Sequence, residues 1–379
     1  MRILVDIRHL NSPEPSGVGE YTLQLLRTLF DIDKVNEYIL LSSGKTVTNH
    51  FSTLSNPSVR CVHLPLPNKL LNARIILLQH PHFNWYIREA IDLIFLPNLN
   101  VVSLPTDIPT ILTIHDVSWK FFPELYSKKM QLWHRVLRPE QLMHSARHII
   151  SPSESTTQDV IDTFSISPAR LTTIPHGVDP MYSDKMQARD HGVRSRYKLP
   201  KRFALFVGTL EPRKNLLALI EGIKQYRRSF NDDISLVLVG KWGWKSTQLR
   251  HRLWKRDVKD WIHPIGYIPA QDKPAFYRSA QIFTWPSLYE GFGLPVLEAM
   301  ACGTPVITSR NSSLPELTND AAILLDPYNS DDMTSAIKHL LRSQPLQQRL
   351  RTRGLEQAKH YSWIQTAQRT LKVFEKENS

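Results

Sequence analysis

The stretch Ser287–Ser309, SLYEGFGLPVLEAMACGTPVITS, decides the reading of this chain. It follows the apolar run Phe283–Pro286 (FTWP), which reads as a short buried strand. Gly291 and Gly293 permit a tight backbone turn, and Pro295 suits the first turn of a helix that the pattern carries to Met300. TPVITS then reads as a second strand, so the stretch forms a strand, loop, helix and strand. Such a loop points free N–H groups and the positive end of the helix dipole outward, where sugar or phosphate oxygens are held without a metal. Glu290 lies in the loop and Glu298 in the helix, with seven residues between them. An ionised carboxylate accepts bonds from two neighbouring hydroxyls, as a sugar or ribose diol requires. Taken alone, two glutamates at this spacing read as a solvated loop residue and a residue supporting a helix; their surroundings reverse that reading.

The same rhythm runs through the whole chain. The first half alternates RILVDI, YILLSS, DLIFLP, TILTIHD and HIISPS with helical patterns such as Tyr21–Phe30. The second half repeats it with FALFVGTL, ISLVLVG, QIFTWPS, TPVITS and AAILLD, with helices at Leu216–Phe230 and Lys273–Ala280. Apolar strands alternating with helices imply parallel sheets covered on both faces, and 379 residues suffice for two of them. The sequence predicts an α/β fold of two Rossmann-like domains, at 1–178 and 202–360. The polar stretch 179–201, broken by Pro180 and Pro200, reads as a linker. Each motif with chemistry falls at a strand's carboxyl end, where open parallel sheets bind ligands, so one site in a cleft between the domains is expected.

Composition narrows the function classes. A chain with 41% hydrophobic and 22% charged residues is globular, and two cysteines, Cys61 and Cys302, make no disulfide framework or metal spacing. MRILVDIRHL lacks the apolar core of a signal peptide and no stretch is apolar enough to span a bilayer, so a cytoplasmic setting is expected. The net charge of +12 falls wholly after residue 190. Such a field attracts a nucleoside diphosphate, an anionic membrane or nucleic acid alike. With no zinc-finger, RNA-recognition or KH signature, nucleic acid is not expected as a partner. Basic residues Lys128, Lys129, Arg135 and Arg138 interleave with Leu132, Trp133 and Val136, an amphipathic surface that Pro139 interrupts; it reads either as packed helices or as a face for an anionic membrane.

VGTLEPRKN at 207–215 follows a strand and precedes a helix, placing Arg213 and Lys214 beside Gly208. A lone pair of this kind reads as a solvated helix start, but two adjacent cations at a helix start oppose its dipole, and a diphosphate would supply the compensation. Ser16, Gly17, Val18 and Gly19 read as a small-residue loop before the helix at Tyr21, where Gly17 and Gly19 allow close approach to phosphates or simply supply a turn. His115 and Asp116 end TILTIHD and put a titratable ring and a carboxylate at a strand end. SRNSSLPEL at 309–317 reads equally as a loop that continues the Glu298 motif and as a helix cap built on Ser313, Pro315 and Glu316, and is not counted in the site.

The motifs SGVGEY, TIHD, IPHGVD, VGTLEPRKN, IGYIP, YEGFGLPVLEAMACGTPVI, LLDPYNSDD and YSW, in this order, resemble the large retaining glycosyltransferase family with the Glu, seven residues, Glu signature and the two-domain GT-B fold. The resemblance covers nearly the whole chain and implies a terminal helix, 361–379, crossing back to the N-terminal domain. It implies a nucleoside diphosphate sugar as donor substrate, no cofactor and no metal. Gly208, Arg213 and Lys214 match the family's diphosphate clamp, and Gly17 and Gly19 the loop that meets the donor from the other domain. Gly266, Tyr267 and Ile268 match the segment at the nucleotide base; Glu290, Gly291, Phe292, Gly293 and Glu298 match the sugar and ribose loop. His115 is implied near the transferred sugar and Asp116 toward the acceptor, while His176 and Gly177 match a turn before the hinge.

TIHDVSWKFFPELYS is similar to segments of bacterial polysaccharide mannosyltransferases. That similarity implies GDP-mannose as donor and a glycan or lipid-linked oligosaccharide as acceptor, at the inner face of the plasma membrane. UDP-glucose and UDP-N-acetylglucosamine are the alternative donors. A sugar-nucleotide 2-epimerase of the same fold lacks an acid and base arrangement in this sequence, and a non-catalytic binding protein has no need of the full Arg213, Lys214, Glu290 and Glu298 set.

Overall fold

The computed structural model describes residues 1–11, 16–44, 54, 58–78, 82, 85, 87 and 89–377. They divide into two compact units: Met1–Trp119 with Lys128–Gly177 and Ser362–Ser379, and Lys120–Ser127 with Val178–Tyr361.

The first unit is built on seven parallel strands: β1 (Arg2–Asp6), β2 (Glu37–Ser43), β3 (Val59–Leu64), β4 (Leu93–Leu96), β5 (Thr110–Thr113), β6 (His148–Ser151) and β7 (Leu171–Thr173). Their order is β3-β2-β1-β4-β5-β6-β7. The second has six: β8 (Phe203–Val207), β9 (Ser235–Val239), β10 (Ile262–Gly266), β11 (Ile282–Trp285), β12 (Val306–Ser309) and β13 (Ala322–Leu325). Their order, β10-β9-β8-β11-β12-β13, is again wholly parallel. Central strands such as β8 and β9 are buried along their full length, which is why they read as unbroken apolar runs. Both sheets are doubly wound α/β, as the sequence predicts.

In each sheet the chain proceeds outward one way and then returns to start again on the other side. The reversals fall between β1 and β4 and between β8 and β11. Loops leaving neighbouring strands at such a reversal diverge to opposite faces and leave a crevice at the carboxyl ends. The VGTLEPRKN loop leaves β8 and the Glu290 loop leaves β11. Topology therefore brings together two motifs separated by about eighty residues of chain.

Helix Trp363–Glu377 belongs to the first unit. Its buried stripe, Trp363, Thr366, Ala367, Thr370, Val373 and Phe374, follows helical spacing, and Phe374 meets Phe95 of β4 with ring centroids 5.0 Å apart. Gly177 explains how the chain passes there. A Cβ on it would lie 2.1 Å from the backbone nitrogen of Trp363, so only glycine admits the returning strand of chain.

Three expectations are corrected. The stretch 179–201 is packed structure within the second unit, with a helix at Arg189–Arg196. Its polarity misleads because Asp190, fully buried, is satisfied by a two-pronged pair with Arg278 at 2.7 and 2.8 Å. The boundary near 178 also omits an excursion, since Lys120–Ser127 belongs to the second unit. There Tyr126 stacks on Trp244, whose indole N–H donates to the Leu125 carbonyl at 2.8 Å. Ser16–Gly19 is a helix start rather than a loop: the helix spans Gly17–Ile32, with the Ser16 hydroxyl accepting from the Gly19 N–H.

Candidate functional site

In the second unit, Arg213 and Lys214 lie in a tight 3₁₀ turn, Pro212–Lys214, one residue before helix Leu216–Phe230. Asn215 between them is left-handed at φ 55° and turns the chain into the helix. The two cations are therefore presented ahead of the helix axis, not on its first turn. Lys214 Nζ lies 2.5 Å from Glu290 Oε1, and Arg213 Nη1 lies 3.1 Å from Glu290 Oε2. Arg213 also donates to the Tyr289 carbonyl at 2.7 Å and pairs with Glu211 at 2.9 Å. The sequence matches the two cations to a diphosphate; in the structure each has a carboxylate partner.

This cluster is almost closed to solvent: Glu211, Lys214 and Glu290 are only 5–7% exposed. Burial opposes ionisation of Glu290, but Lys214 and Arg213 outweigh it and hold the carboxyl down at about 2. Burial pushes the Lys214 ammonium below its ordinary value, Arg213 adds to that, and the two carboxylates oppose it. Burial raises Glu211, which shares Arg213 with Glu290. Lys214 Nζ also sits 4.5 Å above the Trp285 ring, a cation–π contact that further fixes it.

The Glu290 loop is pinned from the stretch 309–317 that the sequence reading left outside the site. Ser312 Oγ accepts from the Glu290 N–H at 2.8 Å, and Ser313 Oγ donates to the carbonyls of Glu290 and Phe292. Ser287 Oγ donates to the Arg213 carbonyl at 3.1 Å and ties the two loops together. Glu211, Ser287, Ser312 and Ser313 were missed as site residues. Proximity in the VGTLEPRKN and SLYEGFG motifs was a signal for Glu211 and Ser287; Ser312 and Ser313 lie in SRNSSLPEL, whose helix-cap pattern hid their part in the site.

Gly293 adopts φ 108° and begins helix Leu294–Ala301, so glycine is required there by the backbone. Within that helix Glu298 is buried, and Tyr277 donates its hydroxyl to Glu298 Oε2 at 2.6 Å, with Lys273 Nζ 3.7 Å from Oε1. Burial and the Glu298 charge push the Tyr277 phenol well above its ordinary value. Tyr277 therefore stays a donor, and Glu298 keeps acceptor capacity beyond that one bond.

The remaining expected contacts are mixed. Gly208 is a packing glycine: its N–H donates to the Val239 carbonyl, and a Cβ would lie 2.7 Å from the Trp285 ring. Gly266 is left-handed at φ 83° with open space where a Cβ would be, the Tyr267 ring is exposed beside Lys241, and the Ile268 side chain belongs to the core. Phe292 is likewise buried, edge-on to Tyr361. Gly291 lies buried in the loop between Glu290 and Phe292.

In the first unit Gly17 is exposed with open space at its Cβ position, while Gly19 is buried. His115 follows β5, and its Nε2 donates to the Pro97 carbonyl, after β4, at 2.8 Å. That bond fixes the neutral tautomer with Nδ1 as acceptor, and burial holds the ring below its ordinary pKa. Asp116 Oδ1 accepts from both the N–H and the hydroxyl of Ser118. His176 is buried between Tyr21 and Trp363, with centroids 4.5 and 5.9 Å away, which gives it a packing role. Among the described residues no group of three His, Cys, Asp or Glu side chains is placed to hold a metal ion.

Known proteins resemble this chain along most of its length. The family described as Glycosyl transferases group 1 matches residues 192–357, and that described as Glycosyltransferase Family 4 matches 15–182. The chain is 30% identical over 374 residues to the O-antigen chain mannosyltransferase B of Escherichia coli, covering 95% of this chain and 96% of the relative. It is 28% identical over 282 residues to the serotype-specific mannosyltransferase WbdA of Escherichia coli, spanning 72% of this chain but only 34% of that longer protein. Among solved structures, Anabaena Alr3699/HepE in complex with UDP and glucose superposes with a TM-score of 0.76 over 99% of both chains at 16% identity, a likeness of fold.

Proposed function

The chain belongs to the glycosyl transferases of group 1, and on that footing we propose that it moves mannose from GDP-mannose to a hydroxyl of a growing, lipid-linked glycan in bacterial polysaccharide assembly. The observation that carries this reading is the convergence of Arg213, Lys214 and Glu290 at the β8/β11 reversal, with the start of helix Leu294–Ala301 beside them. The names of the relatives support the sugar and the polymer.

In this reading Arg213 and Lys214 take the donor diphosphate and offset the charge that develops on it as the glycosidic bond breaks. The N–H groups of the Gly291–Gly293 loop and the helix dipole add to that field. Glu298, oriented by Tyr277, accepts from the ribose hydroxyls, and Glu290 from hydroxyls of the hexose. The backbone at Gly266–Ile268 meets the base, and Gly17 meets the donor phosphates. In the first unit, Nδ1 of the neutral His115 accepts from a sugar hydroxyl, and the Asp116 carboxylate meets the acceptor.

The anomeric configuration is retained. Attack comes on the face the diphosphate leaves, through an oxocarbenium-like state, and the departing phosphate oxygen takes the acceptor's proton. With two cations already at the diphosphate, no metal is required.

A further proposal concerns location. Among the described residues no helix is long and apolar enough to cross a membrane. Helix Lys128–Leu137 carries Lys128, Lys129 and Arg135 beside the exposed Leu132 and Trp133, with Arg138 at its end. That mixture suits an anionic membrane surface, with the enzyme in the cytoplasm at the inner face of the membrane.

A donor screen tests the central claim. The purified protein is incubated with GDP-mannose, UDP-glucose or UDP-N-acetylglucosamine, and free nucleotide is followed by mass spectrometry. GDP-mannose should be bound and slowly hydrolysed, with or without chelator. Preference for a uridine donor would replace the donor assignment, and activity abolished by chelator and restored by magnesium would overturn the metal-free clamp.

A further inference from the structure

The diphosphate clamp is charge-balanced before any ligand arrives. Two cations, Arg213 and Lys214, face two carboxylates, Glu211 and Glu290, in a cluster with little access to water. The two carboxylates are not equivalent. Glu211 bonds Arg213 through one oxygen that takes both Nε and Nη2. Glu290 spans the pair, one oxygen on Lys214 and the other on Arg213. A bridging anion whose two oxygens address two cations is the arrangement a diphosphate makes.

A buried cation pair cannot keep that bridging carboxylate at full strength and also receive a doubly charged ligand, because like charges repel strongly where dielectric screening is weak. We propose that the Glu290 carboxylate is the resident counterion of the diphosphate site, holding the place between Arg213 and Lys214 that the donor diphosphate takes. This rests on the reading of Arg213 and Lys214 as the diphosphate clamp.

Donor binding is then an exchange of anions. The diphosphate replaces Glu290 on the two cations, and the carboxylate so released becomes available to hydroxyls of the hexose next to it. Ser312 and Ser313 hold the backbone of Glu290 on both sides of the peptide, so the side chain can swing while the loop stays in place. Glu211 remains on Arg213 throughout and keeps the guanidinium aimed. The exchange makes the sugar-contacting group conditional on a ligand that spans both cations: a nucleoside monophosphate displaces Glu290 less completely than a diphosphate.

The test is binding of GDP and of inorganic pyrophosphate, by calorimetry, to the wild type and to E290Q, E211Q, R213A and K214A. E290Q keeps the shape of the side chain and removes its charge, so diphosphate no longer competes with a resident anion; affinity for both probes should rise about tenfold while mannosyl transfer falls about a hundredfold. E211Q should raise affinity by much less. Equal gains in E290Q and E211Q, or unchanged or weaker binding in E290Q, would overturn the exchange. R213A and K214A separate this from the parent reading: if neither lowers diphosphate affinity, the clamp assignment itself fails. If E290Q is too unstable for calorimetry, its thermal midpoint gives the same answer, since saturating pyrophosphate should stabilise it more than the wild type.

Discussion

The Tyr277 hydroxyl donates to Glu298 Oε2 across 2.6 Å, both groups buried in the second unit. The tyrosine comes from the helix before β11 and the glutamate from the helix after it, so the bond ties together the two helices that flank the Glu290 loop. Glu298→Gln should weaken GDP binding by about 1.5–3 kcal/mol, because an amide cannot accept two charged hydroxyl bonds. Tyr277→Phe should cost about 1–3 kcal/mol of stability by leaving a buried carboxylate short of a donor. Calorimetric affinity and the thermal midpoint measure the two effects; a folded Glu298→Gln protein with undiminished GDP affinity removes Glu298 from the site.

Arg213→Ala and Lys214→Ala should each cut turnover by about a hundredfold, as expected for groups that stabilise charge developing on a leaving diphosphate. Both should also lower the thermal midpoint, since each leaves Glu290 with one cation instead of two. Steady-state kinetics beside a thermal scan distinguishes the losses. A drop in stability with turnover unchanged would make the pair purely structural.

Acid sensitivity follows from Glu290. Its carboxyl titrates at about 2 in the folded chain against an ordinary value of 4.5, so it binds protons less readily when folded. The stability it contributes is fully present above about 4.5 and is lost as the pH falls from there toward 2. Glu290→Gln should flatten this part of the acid limb in a stability profile between pH 5 and 2. An unchanged limb would show that the ion pairs with Arg213 and Lys214 do not persist in solution.

Two glycines separate packing from ligand approach. Gly208→Ala puts a methyl 2.7 Å from the Trp285 ring and should destabilise the chain by about 1–3 kcal/mol. Gly17→Ala meets nothing within 4 Å and should leave the thermal midpoint unchanged. If Gly17 contacts donor phosphates, the same substitution raises the KM for donor; a normal KM withdraws it from the site.

Vesicle sedimentation checks the membrane face. Binding should rise with anionic lipid and fall with salt, since surface charges are screened over about 8 Å at physiological ionic strength. Neutralising Lys128, Lys129, Arg135 and Arg138 should abolish it while sparing transfer to a water-soluble acceptor. Indifference to anionic vesicles at low salt points to a soluble acceptor instead.

Local sequence determined the elements and the motifs. Apolar runs had to become strands buried on both faces, Gly293 was able to take the left-handed position it adopts, and Arg213, Lys214, Glu290 and Glu298 stood in segments that match one family's motifs before any fold was known. Tertiary structure alone decided which of these groups meet. Glu290 lies 77 residues after Arg213, and only the strand order, with β8 beside β11, places its carboxylate on both cations. The serines that pin its backbone come from beyond the next strand, and Asp190 of the apparent linker finds its partner 88 residues away in Arg278. Periodicity reports how a residue faces its own element, whereas the partner of a buried charge is fixed by how the sheet is wound, and no local pattern carries that information.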